Sequence, residues 1–475
     1  MRWFPGAAVA LIAWGVLAFG GEYPWAYAPL LVFATTIGIL GVAVPGAVPS
    51  APRPVVVSLA LIFAAVGLQL CPLPEPMLAV LSPARLVHDY SALFAATVPA
   101  LPGPDQAAAD GPWSISVSPA RTVLGAAFLA GLSLFFVGCC RALAVVRASA
   151  VVRGLMALGL FVALVAIGQE ASDSRLVYGL WWPRKVESPP AAPLINENHL
   201  AGWLVMVFAM AVGFLRGGVT RDRFAARPGW RRGIIRLASR DGSAALLAAL
   251  CAFVMAVAVI FTLSVSGIAS LLVVCGVFSG CLTRRARSAP GRLLVRAGLI
   301  ALPLAAIGWV GFDVVSGEIA MASWSDVGGR VPIWRDTAGI VRDFPVTGTG
   351  LNTYGMAMLA YQTHRPDVHV VEAHNDYLQL AAEGGLLLGL PILLAVAAFV
   401  REVRSRFREA ADDMRIHWLR VGAVAGLLAL AVQSLVDFSL QMPGNAVLFA
   451  LLMAIAVHRP PRRAPADSES RAPCG

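Results

Sequence analysis

Charge is scarce in this sequence. Only 13% of its 475 residues are charged, 58% are hydrophobic and the mean hydropathy is +0.74. That balance excludes the two or three water-soluble domains a chain of this length could otherwise build. Cysteine usage excludes a disulfide framework: Cys71, Cys139, Cys140, Cys251, Cys275 and Cys281 lie in or beside apolar stretches, where a thiol packs as a small apolar group, and Cys474 lies in the tail. No zinc spacing, Walker loop, nucleophile elbow or dinucleotide fingerprint falls where its strand and helix context could form, so soluble-enzyme chemistry has no footing. No internal repeat is evident, and the sequence implies neither metal nor cofactor.

What is present is a succession of apolar runs. A spanning helix needs about 20 mostly apolar residues, because in lipid every backbone amide must find its partner within the segment. Such runs predict an all-α, polytopic membrane bundle of twelve helices, near 4–20, 25–44, 54–71, 119–140, 151–169, 197–215, 243–262, 264–282, 296–313, 378–400, 418–437 and 443–458. The first run lacks a convincing cleavage site followed by a soluble domain, so it is read as a helix and not as a signal peptide.

The net charge of +10 does not point to nucleic acid, because the basic residues cluster in the short connections between spans. With both termini in the cytoplasm, 28 of the 37 Lys and Arg residues lie inside, as the positive-inside bias demands of a bacterial inner-membrane protein. The basic loop around Trp230 then lies against anionic headgroups. Three outer segments are long: 72–118, rich in proline and alanine, 170–196, and 314–377. The chain divides into N-terminal helices (1–190), central helices (191–313), the large outer loop (314–377), C-terminal helices (378–458) and a disordered tail (459–475).

Long ordered loops cost entropy that contacts must offset, so the third segment is the first place to look for function. Within it, GGRVPIWRDTAGIVRDFP reads as a short amphipathic helix with Trp334, Ala338 and Val341 on one face, broken by Pro345 and the PVTGTGLNTY run. The loop ends in EAHNDYLQL, which sets His374, Asn375 and Tyr377 at a helix N-terminus on the membrane surface. Unpaired N–H groups there suit a phosphate, and an imidazole can carry a proton. Glu372 and Asp376 could orient its ring, or His374 merely caps the helix.

Arg330, Arg335 and Arg342 are arginines on the side that positive charge avoids. They point to an anion, or to local pairing with Asp326, Asp336 or Asp343. In PLINENHLAGWL, Asn196, Asn198 and His199 enter a span, as caps or as ligands of sugar hydroxyls. In QSLVDFSLQMPGN, Gln433, Ser434 and Asp437 occupy the outer end of an apolar helix, where a carboxylate is costly unless paired or wet.

Four blocks in this order, NENHLAGWL, GRVPIW with FPVTGTGLNTY, HNDYLQLAAEGGLLLGL and SLVDFSLQMPGNAVLFALL, resemble the O-antigen ligase and polymerase superfamily of bacterial membrane glycosyltransferases. They cover roughly the C-terminal 280 residues; the first 190 match only as generic spans. The resemblance implies transfer of a glycan from an undecaprenyl diphosphate carrier to a periplasmic acceptor, lipid A-core for a ligase or another carrier-linked repeat for a polymerase. It implies His374 and Arg330 as catalytic residues, with Asn375, Tyr377, Trp334, Arg335, Asn198, His199 and Asp437 contacting substrate. Membrane lipids and other polysaccharide-assembly proteins are the further partners implied. One departure stands out: many members carry Ser-Arg-Gly at an outer turn where this chain has Ser264, Val265, Ser266 and Gly267, so another arginine, such as Arg175, Arg184 or Arg335, must serve, or the activity is lost or altered. A solute transporter and a non-catalytic partner of an exopolysaccharide machine are the competing readings.

Overall fold

The computed structural model describes residues 1–44, 51–88, 90, 92–93, 113–172, 176–182, 191–219, 239–285, 329–364, 368–409 and 413–459. The expected span at 296–313, the basic loop with Trp230, Arg175, Arg184, Asp326 and the tail beyond 459 lie outside these residues. Among those described, the protein is helical throughout, with two isolated β-bridges and no strand.

The helices are α1 (Phe4–Leu17), α2 (Pro24–Val42), α3 (Arg53–Leu70), α4 (Glu75–Leu81), α5 (Pro119–Ala142), α6 (Ala148–Ala171), α7 (Glu197–Val219), α8 (Arg240–Phe261), α9 (Val265–Arg285), α10 (329–343), α11 (Tyr354–Met358), α12 (Asp376–Glu409), α13 (Met414–Gln433) and α14 (Pro443–Val457). Nine of them are long and apolar enough to cross a membrane. The first and last expected spans, α1 and α14, are shorter, with 14 and 15 residues. At about 1.5 Å per residue they fall short of the roughly 30 Å hydrocarbon layer.

Helix α7 is the centre of the bundle. Its residues are buried on nearly all sides, as expected of a helix apolar all round. It packs against α8 and α13, and glycines let the backbones meet: a Cβ on Gly213 would lie 2.5 Å from the Trp418 carbonyl oxygen, and one on Gly422 would lie 2.6 Å from that of Ala209. In membranes, where apolar burial gives helices no reason to associate, such close packing holds them together.

Helix α12 is cut by Gly385, at φ 52°. The 345–350 turn fills the break: Leu386 and Leu387 donate to the carbonyls of Pro345 and Val346, and Thr349 and Gly350 donate to those of Ala382 and Glu383. Gly348, also left-handed, lies so close that a Cβ would stand 2.5 Å from Gly384 N. Residues 376–384 thereby join a small second core outside the bundle, built on Ile340, Phe344, Tyr354, Ala373 and Ala382. Tyr90 and Val117, from the proline-rich segment after α3, also belong to it.

Helix α10 forms as the periodicity predicts, with a different buried face. Asp336, Thr337, Ile340 and Phe344 point inward and Ala338 is exposed, because the second core lies to one side of α10.

Candidate functional site

Three helices start at the same end of the bundle, each in the same way. A residue in the left-handed region, Ile195 (φ 53°), Leu263 (φ 53°) or His374 (φ 51°), turns the chain, and the next side chain caps the helix. Asn196 Oδ1 accepts from the amides of Asn198 and His199, Ser264 Oγ from Gly267, and Asn375 Oδ1 from Leu378. Non-glycine residues in this region store strain and persist only when their surroundings hold them. His374 is held through the preceding residue, whose two backbone groups are both engaged: Trp334 Nε1 donates to the Ala373 carbonyl at 3.0 Å, and Ala373 N donates to Gln379 Oε1 at 2.9 Å.

Residues 433–445, which comprise the end of α13, its connection to α14 and the first residues of α14, are where these parts meet. Helix α13 stops at Gln433, four residues short of the expected end, so Asp437 lies in the connection and not on the helix. The reason is visible in its carbonyls, which a helix C-terminus leaves without intrahelical donors. Tyr377 Oη donates to Ala431 at 2.7 Å, Asp376 N to Ser434 at 3.0 Å, Asn375 Nδ2 to Leu435 at 2.8 Å and Arg330 Nη1 to Val436 at 2.7 Å. On the opposite side, Gln433 Nε2 donates to the Asn198 carbonyl and Asn445 Nδ2 to that of His199.

Phe438 stands between the two histidines. Its ring is edge-on to His199 at 4.6 Å and to His374 at 4.9 Å. His199 is buried behind it, with Nε2 3.8 Å from Asp437 Oδ2, too far for a hydrogen bond. Asp437 is fully buried and accepts from Ser439 Oγ. His374 is only half-buried.

Glu372 and Asp376 bond elsewhere than to the imidazole they were expected to orient. Glu372 Oε2 accepts from Gln379 Nε2 at 2.9 Å and Asp376 Oδ1 from Gln441 Nε2 at 3.0 Å. Burial, reinforced by the neighbouring Glu383 and Asp376 and opposed by the Gln379 hydrogen bond and Arg121, pushes the Glu372 carboxyl up to about 8.

Of the arginines, Arg330 reaches the site. Arg342 forms the local pair that the sequence offered, its Nε donating to Asp343 Oδ1 at 3.1 Å, while Asp336 accepts from Thr363 N and Oγ1. Arg335 is exposed on the outer face of α10, away from the buried face that joins the site. Asn198 is taken up within the bundle, its Oδ1 accepting from Ser264 Oγ at 2.5 Å and Ser266 Oγ at 3.2 Å. The turn where the resembling family carries an arginine is here a pair of hydroxyls that tie α9 to α7. Phe438, Gln379, Gln441 and Arg121 were missed by sequence reasoning. The two glutamines and Phe438 stand inside the quoted blocks, which is the signal that could have found them.

Residues 250–393 match the model of a family described as O-antigen ligase, which supports the resemblance drawn from the sequence blocks. The matched stretch runs from α8 through the cut in α12 and includes Arg330, Trp334 and His374. No curated protein matches the chain. The chain thus combines helices long and apolar enough to cross a membrane with a stretch similar to the O-antigen ligase family.

Proposed function

We propose that this membrane protein, similar over residues 250–393 to the O-antigen ligase family, transfers a glycan from an undecaprenyl diphosphate carrier to an acceptor hydroxyl on the periplasmic face. The acceptor is lipid A-core if it acts as a ligase, or a second carrier-linked glycan if it acts as a polymerase. The observation that carries the reading is the meeting of Arg330, His374 and three capped helix N-termini around residues 433–445.

The chemistry needs positive potential where the diphosphate leaves and a positioned group where the acceptor loses its proton. Arg330 supplies the guanidinium, whose planar fork suits phosphate oxygens, and the helix N-termini add oriented N–H dipoles. His374 positions or deprotonates the acceptor. Displacement of the diphosphate by the acceptor oxygen inverts the anomeric carbon. Asn375, Tyr377 and Trp334 hold the strained segment that carries His374, and Asp437 with His199 supports Phe438 from behind.

A deletion strain tests the reading. Unattached long glycan chains are expected of a ligase and single carrier-linked repeats of a polymerase, with rescue by the wild-type gene and not by His374→Ala or Arg330→Ala. Surface glycan unchanged in length and attachment after deletion overturns it. Rescue by both variants favours a non-catalytic partner.

A further inference from the structure

Gln379 is asked for more hydrogen bonds than it has hydrogens. Its Nε2 lies 2.8 Å from Gln441 Oε1, 2.9 Å from Glu372 Oε2 and 3.4 Å from Glu383 Oε1. An amide nitrogen carries two hydrogens, so three acceptors compete for two. Its orientation is fixed, because Gln379 Oε1 accepts from Ala373 N, and that of Gln441 is fixed by its donation to Asp376. One of the two carboxyl groups is therefore better satisfied carrying a proton.

The two carboxyls differ in what else they receive. Glu383 takes a backbone N–H on each oxygen, from Asn352 at 2.8 Å and Tyr354 at 3.0 Å, which favours its anion. Glu372 takes its hydrogen bond from Gln379, and it faces Glu383 and Asp376 on α12, Tyr354 on α11 and Arg121 on α5. Two carboxylates outweigh one exposed guanidinium. Glu372 is also partly exposed, whereas Glu383 and Asp437 are buried, and it lies two residues from His374 in the same clamped segment. Asp376, the other partly exposed acid, has its Oδ1 taken by Gln441 Nε2 in the first turn of α12.

We infer that Glu372 is the proton acceptor of the transfer reaction, which leaves His374 the positioning role. The inference rests on the transfer reading above. The acceptor hydroxyl oxygen forms its bond to the anomeric carbon, and its proton passes to the Glu372 carboxylate. The bond from that carbon to the carrier diphosphate breaks, and its electron pair leaves on the diphosphate, opposite Arg330. A carboxylate whose proton affinity is raised into the neutral range is matched to this task, since a base acts best near the working pH.

The test uses full-length protein in proteoliposomes with the lipid fraction of cells that lack it, which holds both the undecaprenyl diphosphate-linked glycan and lipid A-core. Product is followed from pH 5.5 to 9, and binding of undecaprenyl diphosphate is measured separately. Glu372→Gln is expected to lower turnover about 100-fold, with undecaprenyl diphosphate binding within about threefold of wild type and the rising limb of the pH profile lost. Glu372→Asp is expected to keep measurable turnover with its midpoint moved to lower pH, and it carries the test if the glutamine variant does not fold. Glutamine-variant turnover above about a third of wild type, a rate loss matched by an equal loss of binding, or an aspartate variant with an unmoved midpoint overturns the assignment of Glu372. Absence of transfer by the wild type overturns the transfer reading and this inference with it.

Discussion

Arg330 donates to the Val436 carbonyl at 2.7 Å, so a guanidinium at the start of α10 closes the frayed end of α13. The negative end of a helix dipole favours a cation there. Arg330→Lys keeps the charge and loses the fork. It is expected to lower glycan transfer by about 10²-fold or more, with normal membrane yield, read from product formed in isolated membranes. Transfer at the wild-type rate would leave Arg330 a structural cap.

His199 and Asp437 face each other across 3.8 Å, both buried, behind the ring of Phe438. A buried carboxylate is expensive unless a partner offsets its desolvation, so the two act as a unit. His199→Gln and Asp437→Asn are each expected to lower transfer, and the double variant to lose less than the two losses combined. The coupling expected of residues in contact is about 0.5 to 3 kcal/mol. A double-mutant cycle on transfer rates measures it, and strict additivity would separate the two residues.

Nine of the twelve expected spans, the short helix of the outer loop and the placement of His374 at a helix start were legible because each rests on local signals: apolar run length, periodicity, and a polar loop entering an apolar helix. The end of α13 was not. Leu435 and Val436 continue the apolar pattern, and what ends the helix is the set of donors from Asn375, Asp376 and Arg330, residues distant in sequence. Phe438 was hidden for the same reason, since its place between two imidazoles depends on three segments meeting. The face of α10 was misread because Thr337, which bonds Tyr354 Oη at 2.8 Å, and Asp336 are polar groups satisfied inside the second core.

His374 is held at φ 51°, a conformation that costs a non-glycine residue about 1 to 2 kcal/mol. Glycine removes that strain but loses more chain entropy on folding, by about 0.5 to 1 kcal/mol. His374→Gly is therefore expected to unfold within about 1 kcal/mol of wild type, and His374→Ala to be no more stable than the glycine variant. Both are expected to lose transfer. Thermal unfolding of detergent-solubilised protein, paired with the membrane assay, checks the contrast; a glycine variant much less stable than wild type would make the imidazole a structural element.

Glu372 binds its proton more tightly in the folded protein, at about 8 against an ordinary 4.5, with burial as the chief cause. Between those values the folded state holds more protons than the unfolded state, so stability from this group is fully present below 4.5 and is lost as pH rises through 8. Glu372→Gln, which cannot ionise, is expected to flatten that part of the profile: its melting temperature relative to wild type should rise between pH 5 and pH 9. Melting curves of the two solubilised proteins at pH 5, 7 and 9 measure the difference. A gap that stays constant over that range would mean that Glu372 ionises at its ordinary value and that the competition for the hydrogens of Gln379 is relieved by some other group.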